Sequence, residues 1–186
     1  MGRLEIIWFC ILVILGIIRS ATMERFLNIV YYFAFRADAK FTYYTYKYTG
    51  VFKLLNTPYM KRRYEKGGIK DPVAHLMDVW ANPKTGMSSF FVSALIGGGH
   101  GIFLLGIHIW LEIYTYLPDK LDLYVIISYF VIAFVFNFML VWHKDKYLKY
   151  FKEFDKKPRA WKVKWKWISI GVILFPFVFF FMSMLL

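Results

Sequence analysis

Residues 88–111 run for 24 positions without an Asp, Glu, Lys or Arg, and 123–142 and 167–186 run for 20 each. About 20 such residues cover the hydrocarbon core of a bilayer as a helix. Backbone N–H and C=O groups find no water there, so a long uncharged apolar run must pair them within itself. Three transmembrane helices are predicted. A fourth apolar run, residues 6–18, has only 13 uncharged positions and crosses only if Glu5 and Arg19 reach outward to the headgroups. The residues after it, RSATMERF, make a poor small-x-small cleavage site, so an uncleaved anchor is expected instead of a signal peptide.

The expected fold is an all-α integral membrane protein with four transmembrane helices and basic, aromatic-rich cytoplasmic loops. Its parts are a first transmembrane helix at 1–20, a cytoplasmic loop region with short helices at 21–86, a second transmembrane helix at 87–112 and an outer turn at 113–122. A third transmembrane helix at 123–143, a basic cytoplasmic segment at 144–166 and a fourth transmembrane helix at 167–186 complete it.

Between the long runs the pattern shortens. FLNIVYYFAF (26–35) is too close to the first run to cross separately and is expected to continue its helix or to lie in the interface. FTYYTYKYTGVF (41–52) has the composition of a strand, with an amphipathic helix as the alternative. YMKRRYEKGG (59–68) is a basic and aromatic cluster closed by a glycine turn. In DPVAHLMDVW (71–80), Asp71 can cap a short helix, Pro72 suits its first turn, and Val73, Leu76, Met77 and Trp80 share a side. Asn82, Pro83 and Gly86 should stop it. Beyond the third run, Tyr147, Tyr150, Phe151 and Phe154 recur at helical spacing, with Lys149 and Glu153 placed as an i,i+4 pair, and Lys157 and Pro158 mark a turn.

Charge supplies the threading. The chain carries 24 Lys plus Arg against 12 Asp plus Glu, for a net charge of +12. Twelve basic and 5 acidic residues fall between 19 and 84, and 10 basic and 3 acidic between 144 and 166. The turn at 112–122 is acidic, with Lys120 against Glu112, Asp119 and Asp122. The positive-inside rule then puts both basic segments in the cytoplasm, and four crossings put the N-terminus and C-terminus outside. Trp161, Trp165 and Trp167 alternate with Lys162, Lys164 and Lys166 as interfacial anchors do. The partners implied are the lipid bilayer including anionic lipids, other membrane subunits or a homo-oligomer, and an acidic cytoplasmic protein. Nucleic acid is disfavoured, because no RRM, KH, OB or helix-turn-helix signature accompanies the basic clusters. Usage of Lys, Ile, Phe and Tyr is compatible with a bacterial cytoplasmic (inner) membrane.

Candidate chemistry concentrates in SALIGGGHGIFLLGIHIW (93–110). Neither G-x-x-x-x-G-K-[ST] nor G-x-G-x-x-G is present, since Ile102 stands where the third glycine of the latter would be. The triplet at 84–86, KTG, lacks the Ser-x-x-Lys that a serine acyl-enzyme requires. Ser89, Ser93, Gly97 and Gly101 recur every fourth residue, giving a small-residue face on which another helix can pack. His100 should lie at mid-span, with Asn137 of the third run as its intramembrane polar partner. His108 and Glu112 should lie near the outer headgroups, and His143 at the opposite end of the membrane, so these histidines are too far apart in depth to share a metal or haem. Cys10 is alone and forms no internal disulfide.

No metal, other cofactor or catalytic residue is expected. Paired cysteines for disulfide exchange, a His-box and an Asp-rich phosphotransfer run are all absent from the sequence. The expected role is a multi-pass subunit or anchor of a larger membrane protein complex. The rival is a homo-oligomeric channel or pore-forming effector, with His100 and Asn137 near its lining.

Overall fold

The computed structural model of the chain describes residues 21–115 and 122–185. The first apolar run therefore lies outside the described residues, as does most of the outer turn. All regular structure among the described residues is helical. The helices are α1 (Ala21–Tyr48), α2 (Val51–Leu55), α3 (Pro58–Lys66), α4 (Pro72–Ala81), α5 (Met87–Thr115), α6 (Leu123–Asn137), α7 (Lys146–Asp155) and α8 (Arg159–Met184). A π-helical turn at Phe138–Trp142 and a 3-10 turn at His143–Asp145 join α6 to α7.

Three helices are long and apolar enough to cross a membrane: α5, the run containing α6, and α8. Only 33%, 22% and 17% of their most apolar windows are buried. Apolar helices whose surfaces are mostly uncovered are suited to lipid, which solvates them where water would not. Two buried hydroxyls of α8 are satisfied locally: Ser169 Oγ donates to Trp165 O at 2.8 Å and Ser183 Oγ to Phe179 O at 2.9 Å, whereas Ser88 Oγ at the start of α5 is buried and unpaired. These bonds to the preceding turn remove polar groups that hydrocarbon cannot solvate.

The chain forms two compact units. The first comprises the described residues up to Phe33 and those from Ala94 onward. In it, Leu27, Ile29, Val30, Tyr31 and Tyr32 of α1 are buried, and so are Tyr147, Phe151 and Phe154 of α7. Their rings interlock. Tyr31 meets Tyr147 edge-on at 5.5 Å between centroids, Tyr32 meets Phe151 at 5.2 Å, and Phe154 meets Trp161 of α8 at 5.3 Å. Edge-to-face and tilted arrangements at such distances are favoured by the ring quadrupoles. Charged groups close the rim of this α1–α7 contact: Lys146 Nζ is 2.7 Å from Glu24 Oε2, Arg25 pairs with Glu153, and Tyr32 Oη donates to Asp155 at 2.7 Å. Glu153 also lies 3.5 Å from Lys157.

The second unit is Ala34–Ser93. Asp71 caps α4 as its spacing predicts, its Oδ1 accepting from Val73 N at 2.9 Å and Ala74 N at 3.0 Å. Asn82 then ends α4, its Oδ1 accepting from Lys84 N at 2.9 Å. Gly86 is obligatory at the start of α5, because a Cβ there would come within 2.5 Å of the carbonyls of Trp80 and Asn82. The strand expected over 41–52 is not formed. Its first eight residues continue α1 to Tyr48, and Gly50, at φ 80°, turns the chain into α2. Aromatic and β-branched residues favour strands only where a pleated neighbour receives them. Here Tyr43 and Tyr46 meet Phe52 at 5.3 and 6.4 Å, and Tyr46 also meets Trp80 at 6.0 Å.

Candidate intramembrane polar site

A hydrocarbon-embedded bundle concentrates functional interest on its few interior polar groups, since each must find a partner without water. Three side chains of the candidate spans qualify, His100, His108 and Asn137, and Asn28 of α1, outside those spans, is buried against one of them. Asn28 and Asn137 are fully buried.

His100 of α5 and Asn137 at the end of α6 are adjacent. Asn137 Nδ2 donates to His100 Nδ1 at 2.9 Å and to Ala133 O, one turn back in its own helix, at 2.7 Å. Both amide hydrogens are thereby used. The imidazole accepts at Nδ1, so in its neutral form the proton is on Nε2. Asn137 Oδ1 is buried without a partner.

Asn28 sits among the apolar residues of α1 and reaches the end of the span that contains α6. Its Nδ2 donates to Leu140 O at 3.0 Å and to Glu24 O at 2.7 Å. The need for that donor follows from the backbone. Lys144 and Asp145 adopt left-handed angles, φ 59° and 54°, which interrupt the helical ladder and leave the last carbonyls of the span without their usual donors. Lys146 Nζ supplies a second replacement, donating to Met139 O at 3.2 Å. Asn28 Oδ1 and Trp142 Nε1 are buried and unpaired, as Asn137 Oδ1 is.

A cavity of about 20 Å³ lies between α1, α5 and α8, lined by Leu27, Val30, His100, Gly99 and Pro176 among others. Room for one water begins at about 10–15 Å³, so a space of this size holds about one molecule. Pro176 is inside α8 and has no N–H to give the carbonyl one turn back, that of Val172, another residue of the lining.

His108 has a different setting. Its Nδ1 is 2.7 Å from Tyr129 Oη and its Nε2 is 3.0 Å from Glu112 Oε1. With Nε2–H donating to the carboxylate, the phenol donates to Nδ1, forming a relay from α6 through α5. The sequence marks His108 and Glu112 by their spacing, whereas Tyr129 carries no local signal. No group of three or more His, Cys, Asp or Glu side chains is placed to hold a metal ion among the described residues.

The four members of the small-residue stripe have four surroundings. Ser89 Oγ donates to Pro83 O at 2.6 Å and Ser93 Oγ to Ser89 O at 2.6 Å. A Cβ on Gly97 would meet nothing within 4 Å. At Gly101 it would fall 2.5 Å from the ring of Phe130, so that ring of α6 packs directly on the α5 backbone and would have to move for any larger residue. Gly106, outside the stripe, serves α8 in the same way: a Cβ would lie 2.9 Å from the Phe179 ring and 3.2 Å from Phe180 Cα. Of the anchor residues, Trp161 and Trp165 are half-buried and Trp167 is exposed. Trp165 meets Phe26 at 6.2 Å, Lys162 Nζ donates to Asp155 O at 2.8 Å, and Lys164 and Lys166 are exposed, the latter 5.9 Å from the Trp167 ring.

Three helices able to cross a bilayer, all-helical described structure and inward-facing polar pairs define the class: a helical, membrane-embedded protein. No protein-family model, curated protein or solved structure matches the chain.

Proposed function

We propose that the chain is a multi-pass subunit or anchor of a larger membrane protein assembly, without a catalytic role of its own. The observation that carries this reading is the pairing of His100 with Asn137 at 2.9 Å inside one chain, beside a cavity of only about 20 Å³. A pore lining presents its polar groups to a continuous water path. The Asn137 amide gives both of its hydrogens to groups of this chain, His100 and Ala133, which supports a packing role. Outward, the spans offer apolar side chains such as Phe134, Leu174, Phe175 and Phe181, a surface for lipid or for neighbouring helices.

In this reading the basic segments face the cytoplasm, the termini face outward and the membrane is a bacterial cytoplasmic one, following the positive-inside rule and composition. Its partners are other membrane subunits or copies of itself, anionic lipid and an acidic cytoplasmic protein. Extraction of the protein in mild detergent, followed by the mass and composition of the particle, tests the proposal. Partner chains at fixed stoichiometry are expected. A particle containing this chain alone, combined with ion flux when it is reconstituted in liposomes, overturns the reading in favour of a pore.

A further inference from the structure

Helix α3 of the second unit, PYMKRRYEK, buries none of its residues. At 100° per residue, Tyr59, Arg62, Arg63 and Lys66 fall within a single arc of about 100°, while Met60 and Tyr64 fall on the other side. Burial follows that division. Met60 and Tyr64 are half-buried, with the Tyr64 ring 6.4 Å from His75 of α4, whereas Tyr59, Arg62, Arg63 and Lys66 are all exposed. Glu65, the helix's only acid, is off the arc. None of the three cations makes an ion pair among the described residues, in contrast to Arg25 and Lys146 of the first unit, which both have carboxylate partners. Tyr59 is 71% exposed at the edge of this group, a ring with an apolar body and a polar tip left uncovered beside three unneutralised charges.

We propose that Tyr59, Arg62, Arg63 and Lys66 form a binding site for the phosphate headgroups of anionic phospholipid in the bilayer that the chain itself spans. Two guanidinium groups and an ammonium converge on one face. Guanidinium forks match phosphate oxygens two at a time, and the ammonium adds a mobile point charge. A tyrosine ring beside them suits the headgroup layer, where one end meets hydrocarbon and the other meets water. The second unit, which contains α3, also includes the first turns of α5, where a candidate span begins. The site deepens the membrane reading above but stands or falls separately from any partner subunit.

The test uses the full chain, stripped of lipid in detergent and offered phosphatidylglycerol or phosphatidylcholine, with retained lipid counted by native mass spectrometry. Phosphatidylglycerol should be retained preferentially. The triple variant R62Q/R63Q/K66Q should lose that preference by about tenfold to a hundredfold, as expected for removing three cations from an anionic surface. Because all three side chains are exposed, folding is preserved and is checked by helical circular dichroism. A matched variant, K53Q/K61Q/K70Q, removes three exposed charges off the arc and should change retention by less than about threefold. Equal loss in both variants overturns the site in favour of diffuse charge. Full displacement by inorganic phosphate overturns the lipid assignment in favour of free phosphate, and a patch that ignores phosphatidylglycerol but retains an acidic peptide assigns it to protein. The stoichiometry of co-purifying subunits, measured on the same variants, reports on the assembly reading independently.

Discussion

His100 and His108 sit two turns apart on the same helix, yet one is held by an amide and the other by a phenol and a carboxylate. The inner ring has one described hydrogen bond, to Asn137 at 2.9 Å, and the donor is fully buried. The outer ring has both nitrogens engaged, by Tyr129 at 2.7 Å and Glu112 at 3.0 Å, with the side chains of the His108–Glu112 pair 19% and 24% exposed. Position along the candidate span Met87–Glu112, with His100 near its middle and Glu112 at its end, is the physical difference between the two sites. A carboxylate taken to mid-span would be severely desolvated, whereas an amide is neutral and tolerable; near the aqueous edge a carboxylate keeps part of its hydration. At the inner site the Asn137 amide serves two acceptors at once, the His100 ring and the Ala133 carbonyl.

That contrast can be broken most forcefully at Gly101, which adjoins the inner histidine. Gly101→Leu forces atoms into the Phe130 ring and should separate α5 from α6, costing about 1–3 kcal/mol in detergent unfolding. Asn137→Leu comes next. It leaves the His100 ring facing hydrocarbon and removes the bond to Ala133, for an expected loss of about 1–2 kcal/mol by the same unfolding titration. His108→Phe should cost less, about 0.6 kcal/mol, because the freed Tyr129 and Glu112 lie where water can reach them. Smallest of all is Glu112→Gln, which keeps an acceptor oxygen for Nε2–H and should move stability by no more than about 0.5 kcal/mol. Double-mutant cycles across each pair sharpen the comparison: a coupling at His108–Glu112 that exceeds the one at His100–Asn137 would contradict the role assigned to position along the span.

The spans were legible because hydrocarbon imposes a single rule on every residue. The uncharged run 88–111 lies within a helix that extends only a few positions beyond it at either end, Met87–Thr115. The Asp71 cap was legible for a similar reason, since it depends on neighbours in sequence alone. Residues 41–52 misled because tyrosine and threonine report on what they pack against, and that partner, Trp80, is remote in the chain. The polar site divides along the same line. His100 and Asn137 stand out as polar residues within apolar runs, but the roles of Tyr129, Gly106 and Asn28 depend on which helix lies opposite. Asn28 did leave a signal: it is the lone amide in FLNIVYYFAF, an apolar stretch in which such a residue requires a partner.

The turn at Phe138–Trp142 acts as a phase shifter along the chain. Before it, Phe134 and Val135 point out toward lipid; after it and the left-handed pair at Lys144 and Asp145, Tyr147, Phe151 and Phe154 point in toward α1. A helix advances 100° per residue, so adding or removing one residue here would swing that aromatic face away from Tyr31 and Tyr32. Exposed side chains in this joint can change identity at little cost, but the number of residues in it cannot change. Its length carries the information that its composition does not.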